Sequence, residues 1–211
     1  MIGRVLGNRL GWVRGRFGRA GLAAAALLVV AVVAAGCEVP LQSRDSVAPS
    51  FAHLPPLVFD LERVEVVERR AAPHPSDVDH LLPTPPAVAL RLWADDRLRA
   101  SGHVGVLRVT IEEASARSTP LATNKDLEGL LTQEQAERIE LRLRVTIDAI
   151  DASGQVNGSA SAEARRSRTL PEGITLAERE RHYDEIVGAL LHDYNASQEA
   201  AIRKYLGLYL R

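Results

Sequence analysis

Strict alternation of apolar and polar positions is the clearest pattern in the chain. Ile139, Leu141, Leu143, Val145 and Ile147 interleave with Glu140, Arg142, Arg144, Thr146 and Asp148. A strand built this way buries one face and wets the other, as in an antiparallel sheet packed on one side. Leu107, Val109 and Ile111 alternate with Arg108, Thr110 and Glu112 in the same manner, and residues 57–68 predict an earlier strand with Val64 and Val66 on one face. Asp151-Ala152-Ser153-Gly154 reads as a turn. It leads into a fourth strand whose inner Ala160, Ala162 and Ala164 are small enough to let a helix lie close. The polar stretch 117–137, interrupted by Pro120, is expected to connect the second strand to the third.

Two segments switch to helical spacing. Leu90, Trp93, Ala94 and Leu98 share one face of a helix of about fifteen residues. It follows Thr84, an expected cap, and Pro85, and it ends before Ser101-Gly102. The second helix opens on Thr175-Leu176-Ala177-Glu178, a capping-box pattern. Its apolar stripe runs through Tyr183, Ile186, Val187, Leu190, Leu191, Tyr194, Ile202 and Tyr205 to Tyr209, a rod of roughly 50 Å with Gly188 and Gly207 as places to bend. The predicted fold class is α+β: a four-stranded, mostly antiparallel sheet with two helices on one face, in the order β-α-β-β-β-α. Tyr183, Tyr194 and Tyr205 lie eleven residues apart, three helical turns, so they form one line. That line is either a core stripe or a tyrosine-edged partner surface.

Ahead of this domain the pattern is of another kind. Residues 21–36 are an unbroken small or apolar run, preceded by five arginines and no acid, and closed by Ala34-Ala35-Gly36-Cys37. A basic leader, an apolar stretch and small residues before a cleavage point constitute a secretory signal. At sixteen residues, or roughly 24 Å, the run is short for the roughly 30 Å of a membrane core. Its ending resembles the bacterial lipoprotein signal, cleaved between Gly36 and Cys37, in which the cysteine carries acyl chains such as palmitate. Cys37 is the only cysteine in the chain, so it has no disulfide partner within one copy. The expected organisation is a signal peptide over 1–36, an acylated cysteine and flexible tether over 37–56, and the α+β domain over 57–211. The tether carries four prolines and no hydrophobic period, although an extended arm from Val39 to Phe51 packed on the domain is the alternative. Glu38, rather than aspartate, follows the cysteine. By resemblance to the best-known sorting rule this favours the outer membrane, with the domain facing the periplasm.

Charge narrows the partners. The leader holds 5 of the 26 basic residues, leaving 21 against 27 acidic ones, a net charge of −6 for the mature chain. That argues against a general nucleic-acid or anionic-lipid binder. The basic run Arg165-Arg166-Ser167-Arg168 is a candidate for phosphate contacts, or a solvated strand end balanced by nearby acids. No nucleophile turn of the Gly-x-Ser-x-Gly type and no glycine-rich phosphate loop is present. His74 and His80, with Asp77 and Asp79 between them, lack the usual metal-ligand spacing, and His182 and His192 fall about 80° apart around a helix. The expectation is therefore no catalytic residues, no metal and no cofactor.

The element order behind a lipoprotein signal, with phrases such as IELRLRVTIDAIDASG (139–154) before a basic strand, resembles two groups of envelope lipoproteins. One is the lipopolysaccharide-assembly lipoprotein of the outer-membrane translocon; the other is the ABC-transport auxiliary lipoprotein group. The resemblance implies a non-enzymatic accessory or assembly factor, held to membrane lipid by its acyl anchor and docked on an envelope protein partner. The alternative it leaves open is a lipid or lipopolysaccharide carrier with ligand held between sheet and helices. The first predicts a filled core and an exposed apolar or tyrosine-edged strip, the second a continuous apolar cavity or groove.

Overall fold

The structure, a computed structural model, describes residues 48–69, 72, 74–121 and 135–211. The signal, Gly36, Cys37, most of the expected tether and most of the expected connection 117–137 lie outside them. Within them the chain is the α+β fold that the periodicities predict. The main sheet has the order β2-β4-β5-β6, from β2 (Arg63–Glu68), β4 (Val106–Pro120), β5 (Gln135–Ile150) and β6 (Val156–Pro171). β4, β5 and β6 are antiparallel neighbours, and β2 joins β4 in parallel. Helices α1 (Pro86–Arg97) and α2 (Leu176–Tyr205) pack on one face.

The predicted first strand is broken by Asp60–Glu62. Its first part, β1 (Leu57–Phe59), leaves the main sheet and pairs in parallel with β3 (Leu98–Ala100). Those three β3 residues were expected at the end of the first helix; pairing with β1 draws them out of it, a tertiary contact overriding local spacing. The helix start differs as well. Pro85 occupies the cap position with no side-chain hydrogen bond, and Thr84 is buried instead. The chain terminus completes the small sheet: the Asp60 amide donates to the Tyr209 carbonyl, and the Arg211 amide to that of Val58.

β4 and β5 extend well into the stretch expected to be a connection, as far as Pro120 and from Gln135. The register shifts between Ile111 and Glu113, leaving Glu112 without a partner on β5. This bulge inverts the alternation, so that Leu107, Val109 and Ile111 face the helices before it, and Ala114 and Ala116 after it. β6 follows through the predicted turn, where Gly154 takes φ +84°, a conformation glycine adopts without steric cost.

α2 opens with the predicted capping box: the Glu178 amide donates to Thr175 Oγ1, and the Thr175 amide to the Glu178 carboxylate. At 30 residues it is about 45 Å long. It lies chiefly over β6, where Ala160 is fully buried beneath it. The layer between sheet and helices is filled by Leu107, Ile111, Leu141, Leu143, Ile147 and Leu170 from the strands. Trp93, Tyr183, Leu190, Tyr194 and Ile202 meet them from the helices, each at most 2% exposed.

Candidate interaction surfaces

The apolar stripe of α2 contains two amides, Asn195 and Gln198, and both are buried. Asn195 is the centre of a polar node between the helices. Its Oδ1 accepts from Trp93 Nε1 at 2.9 Å and from Arg97 Nε at 3.1 Å. Arg97, only 1% exposed, also pairs with Glu199 at 2.5 Å and donates to the Pro55 carbonyl. A buried guanidinium is tolerated only when paired and hydrogen-bonded, and this one is both. The Trp93 and Tyr194 rings meet edge-to-face beside it, with centroids 4.9 Å apart. Arg97, Asn195, Gln198 and Glu199 were not singled out from sequence, although amides in an apolar stripe were the available signal.

The same node receives the incoming chain. Asp96 accepts from the Phe51 amide at 2.7 Å and from the Ser50 hydroxyl at 3.0 Å, and the Phe51 side chain is buried in the core. Residues 50–55 are thus seated on the domain. The last residues of the expected tether 37–56 are therefore held on the domain, while most of the alternative arm, Val39 to Phe51, lies outside the described residues.

The tyrosine line divides. Tyr183 and Tyr194 are 1% and 0% exposed, while Tyr205 is 57% exposed. Eleven-residue spacing does place the first two on one line, but the line faces the sheet. It is core, and Tyr205 alone of the three reaches solvent. Burial drives the Tyr194 hydroxyl well above its ordinary pKa, and that oxygen has no hydrogen-bond partner among the described residues.

The basic run of β6 is likewise accounted for. Arg165 pairs with Glu140 across the outer sheet face, while Arg166 and Arg168 reach Asp193 and Glu185 on α2. Each arginine's hydrogen bond holds the pKa of its carboxylate partner below the usual range. The three candidate phosphate contacts are not brought to one point. Two face the helix layer and the third the opposite side, because neighbours on a strand alternate.

The outer face of the sheet is a polar lattice. Thr146 meets Glu112 and Ser161, Asp148 meets Ser159, and Arg144 lies between Glu113 and Glu163. At its β4 edge lies a cleft of about 390 Å³ whose lining includes Asp77, Asp79, Glu112, Glu113, Arg117 and Arg144. Asp77 accepts from the His74 amide, which lowers its pKa, and pairs with Arg117. Asp79 is raised by burial, against the Ala116 amide it accepts from. These bonds fasten the proline-histidine loop to β4, with a bridge at Asp77 and Arg117. No cluster of three or more His, Cys, Asp or Glu residues able to hold a metal ion occurs among the described residues, and His74 and His80 contribute to none. No helix among them is long and apolar enough to cross a membrane.

No family model matches the chain, and no curated protein matches it. Two solved structures are loosely similar. One is a minor lipoprotein from Acinetobacter baumannii, 17% identical over 71% of this chain and 96% of that one, with a TM-score of 0.35. The other is the rare lipoprotein B from Shewanella oneidensis, 17% identical over 65% of this chain and 94% of that one, with a TM-score of 0.31. Superpositions this loose add nothing to the functional reading.

Proposed function

We propose that this protein is an envelope lipoprotein, anchored through acylated Cys37 in the outer membrane and facing the periplasm. Its α+β domain acts there as a non-enzymatic docking module for a transport or assembly complex. The anchor reading rests on the leader and the Ala34-Ala35-Gly36-Cys37 ending. The docking reading rests on one observation: the layer between sheet and helices is occupied by interlocked side chains. A carrier holding a lipid there would have to displace Leu141, Leu143, Tyr183 and Leu190, all at most 1% exposed, and break the Arg97 node. Binding is better served by the rigid outer surface, where the charged lattice of β4, β5 and β6 offers polar complementarity to a partner.

The test is a crosslinking pull-down of the acylated protein from membranes, beside a Cys37→Ser form. Recovery of an outer-membrane barrel or transport component, weakened in the variant, is the expected result. Recovery of stoichiometric lipid in the domain, with no protein partner, would transfer the reading to a carrier.

A further inference from the structure

Four exposed apolar side chains lie at one end of the domain, where β4 and β6 begin and β5 and α2 end. Val104 is 57% exposed, Val156 56%, Tyr205 57% and Leu208 100%. Backbone contacts fix their common location. The loop carrying Val104 packs on the end of β5, so closely that a Cβ on Gly105 would lie 2.6 Å from the Ile150 carbonyl oxygen. The start of β6 meets the end of α2, since a Cβ on Gly158 would lie 2.8 Å from Leu206 and 3.4 Å from the Tyr209 ring. Leu208 does not hang on a loose tail. Its turn is closed by the Tyr209 amide donating to the Leu206 carbonyl, and the residues after it are hydrogen-bonded to β1 and its neighbour Asp60.

The incoming chain points to what covers this end. It enters through Phe51 and β1, and β1 lies between β3, which leads to Val104, and the terminal segment that carries Leu208. From Cys37 to Ala48, where the described chain begins, eleven residues span at most about 36 Å. An acylated Cys37 would tether the domain through the segment that enters at Phe51 and β1, and the segments beside β1 lead to Val104 and Leu208. The chemistry fits a lipid interface: a fully exposed leucine, and a tyrosine with Lys204 Nζ 4.8 Å from its ring centroid. Apolar bodies with polar tips partition to headgroup depth. We propose that this end lies against the leaflet that holds the anchor, with Leu208 and Tyr205 in the headgroup region. The proposal rests on the anchored reading above and adds an orientation to it. The charged outer sheet face is then left free for a protein partner.

The test uses the full acylated chain, whose only native cysteine is blocked by acylation. An environment-sensitive fluorophore is placed on Leu208→Cys and, separately, on Leu176→Cys, which is 72% exposed at the opposite end of α2. Both proteins are reconstituted into vesicles of phosphatidylethanolamine with a minority of phosphatidylglycerol. Flotation with the vesicles is expected for both. The fluorophore at 208 should brighten several-fold and be quenched by a headgroup-borne quencher, while that at 176 stays in water. Flotation with both fluorophores in water overturns the orientation and leaves the anchor standing, whereas failure to float overturns the anchored reading itself. A fluorophore at 208 that is dry only in native membranes assigns this end to a protein partner and overturns the lipid contact.

Discussion

The Arg97 node makes the most demanding prediction. Glu199→Gln removes the carboxylate paired with a guanidinium whose side chain is only 2% exposed. What remains around Arg97 is neutral, the oxygens of Asn195 and Pro55. Breaking a buried pair from one side costs about 3–5 kcal/mol. Glu199 is itself 26% exposed, so water can replace part of what is lost, and we expect about 3 kcal/mol. The reverse deletion is milder. In Arg97→Met, Glu199 keeps Arg203 at 2.7 Å, Asn195 keeps Trp93, and only the Pro55 carbonyl loses its donor. That leaves a cost of about 1–2 kcal/mol. The double variant should resemble Arg97→Met, giving a coupling energy of about 3 kcal/mol in magnitude, the whole cost of Glu199→Gln alone. The measurement is urea unfolding followed by tryptophan fluorescence. Trp93 is the only tryptophan besides Trp12, which the proposed mature chain from Cys37 lacks, so in that chain the signal arises inside the node. A Glu199→Gln cost below about 1 kcal/mol, or an Arg97→Met cost as large, would refute the asymmetry.

Three other perturbations follow from the same structure. The Asp151 pKa is held down to about 2, first by the Ser153 hydroxyl and then by the Gln155 amide and Asn157 side chain. A depressed carboxylate stabilises fully above its unfolded value of 3.8 and loses that contribution as pH falls through about 2. The parent should therefore exceed Asp151→Asn in denaturation midpoint at neutral pH and converge with it below about pH 2; a gap independent of pH would count against the turn's charge. Tyr194→Phe keeps the edge-to-face contact with Trp93 while removing a buried hydroxyl that has no partner among the described residues. It should be neutral or stabilising by about 1 kcal/mol in thermal unfolding, and a clear loss would reveal a partner for that oxygen. Gly102→Ala would place a Cβ 2.5 Å from the Asp60 carbonyl carbon and 2.6 Å from the Leu61 nitrogen. Backbone cannot yield as a side-chain tip can, so we expect a loss of at least about 2 kcal/mol, read as a lowered midpoint, where Gly188→Ala, inside α2 with open space around it, costs nothing.

The fold class was legible in the chain because each main element carries its own period. Ile139 to Ile147 state a half-buried strand within nine residues, and Thr175 with Glu178 state where a helix must start. These signals are local: neighbouring residues satisfy or bury one another. The proposed anchor rests on a signal of the same local kind, an apolar run ending in Gly36-Cys37.

What the tertiary structure decided lies wherever two distant segments compete with a local preference. Leu98–Ala100 has helical spacing but becomes a strand, because β1 offers a ladder that the helix end does not. Glu112 is ejected as a bulge because β4 must pair with β5 on both sides of it, and no residue in the strand announces this. Eleven-residue spacing shows that three tyrosines align but not which way they face; the alanine-lined face of β6 set that direction and buried two of them. Arg97, Asn195 and Glu199 form one site only after α1 crosses α2, with about a hundred residues of chain between them. Period and composition record what a residue needs, burial or water, whereas the partner that meets the need is chosen by packing between elements.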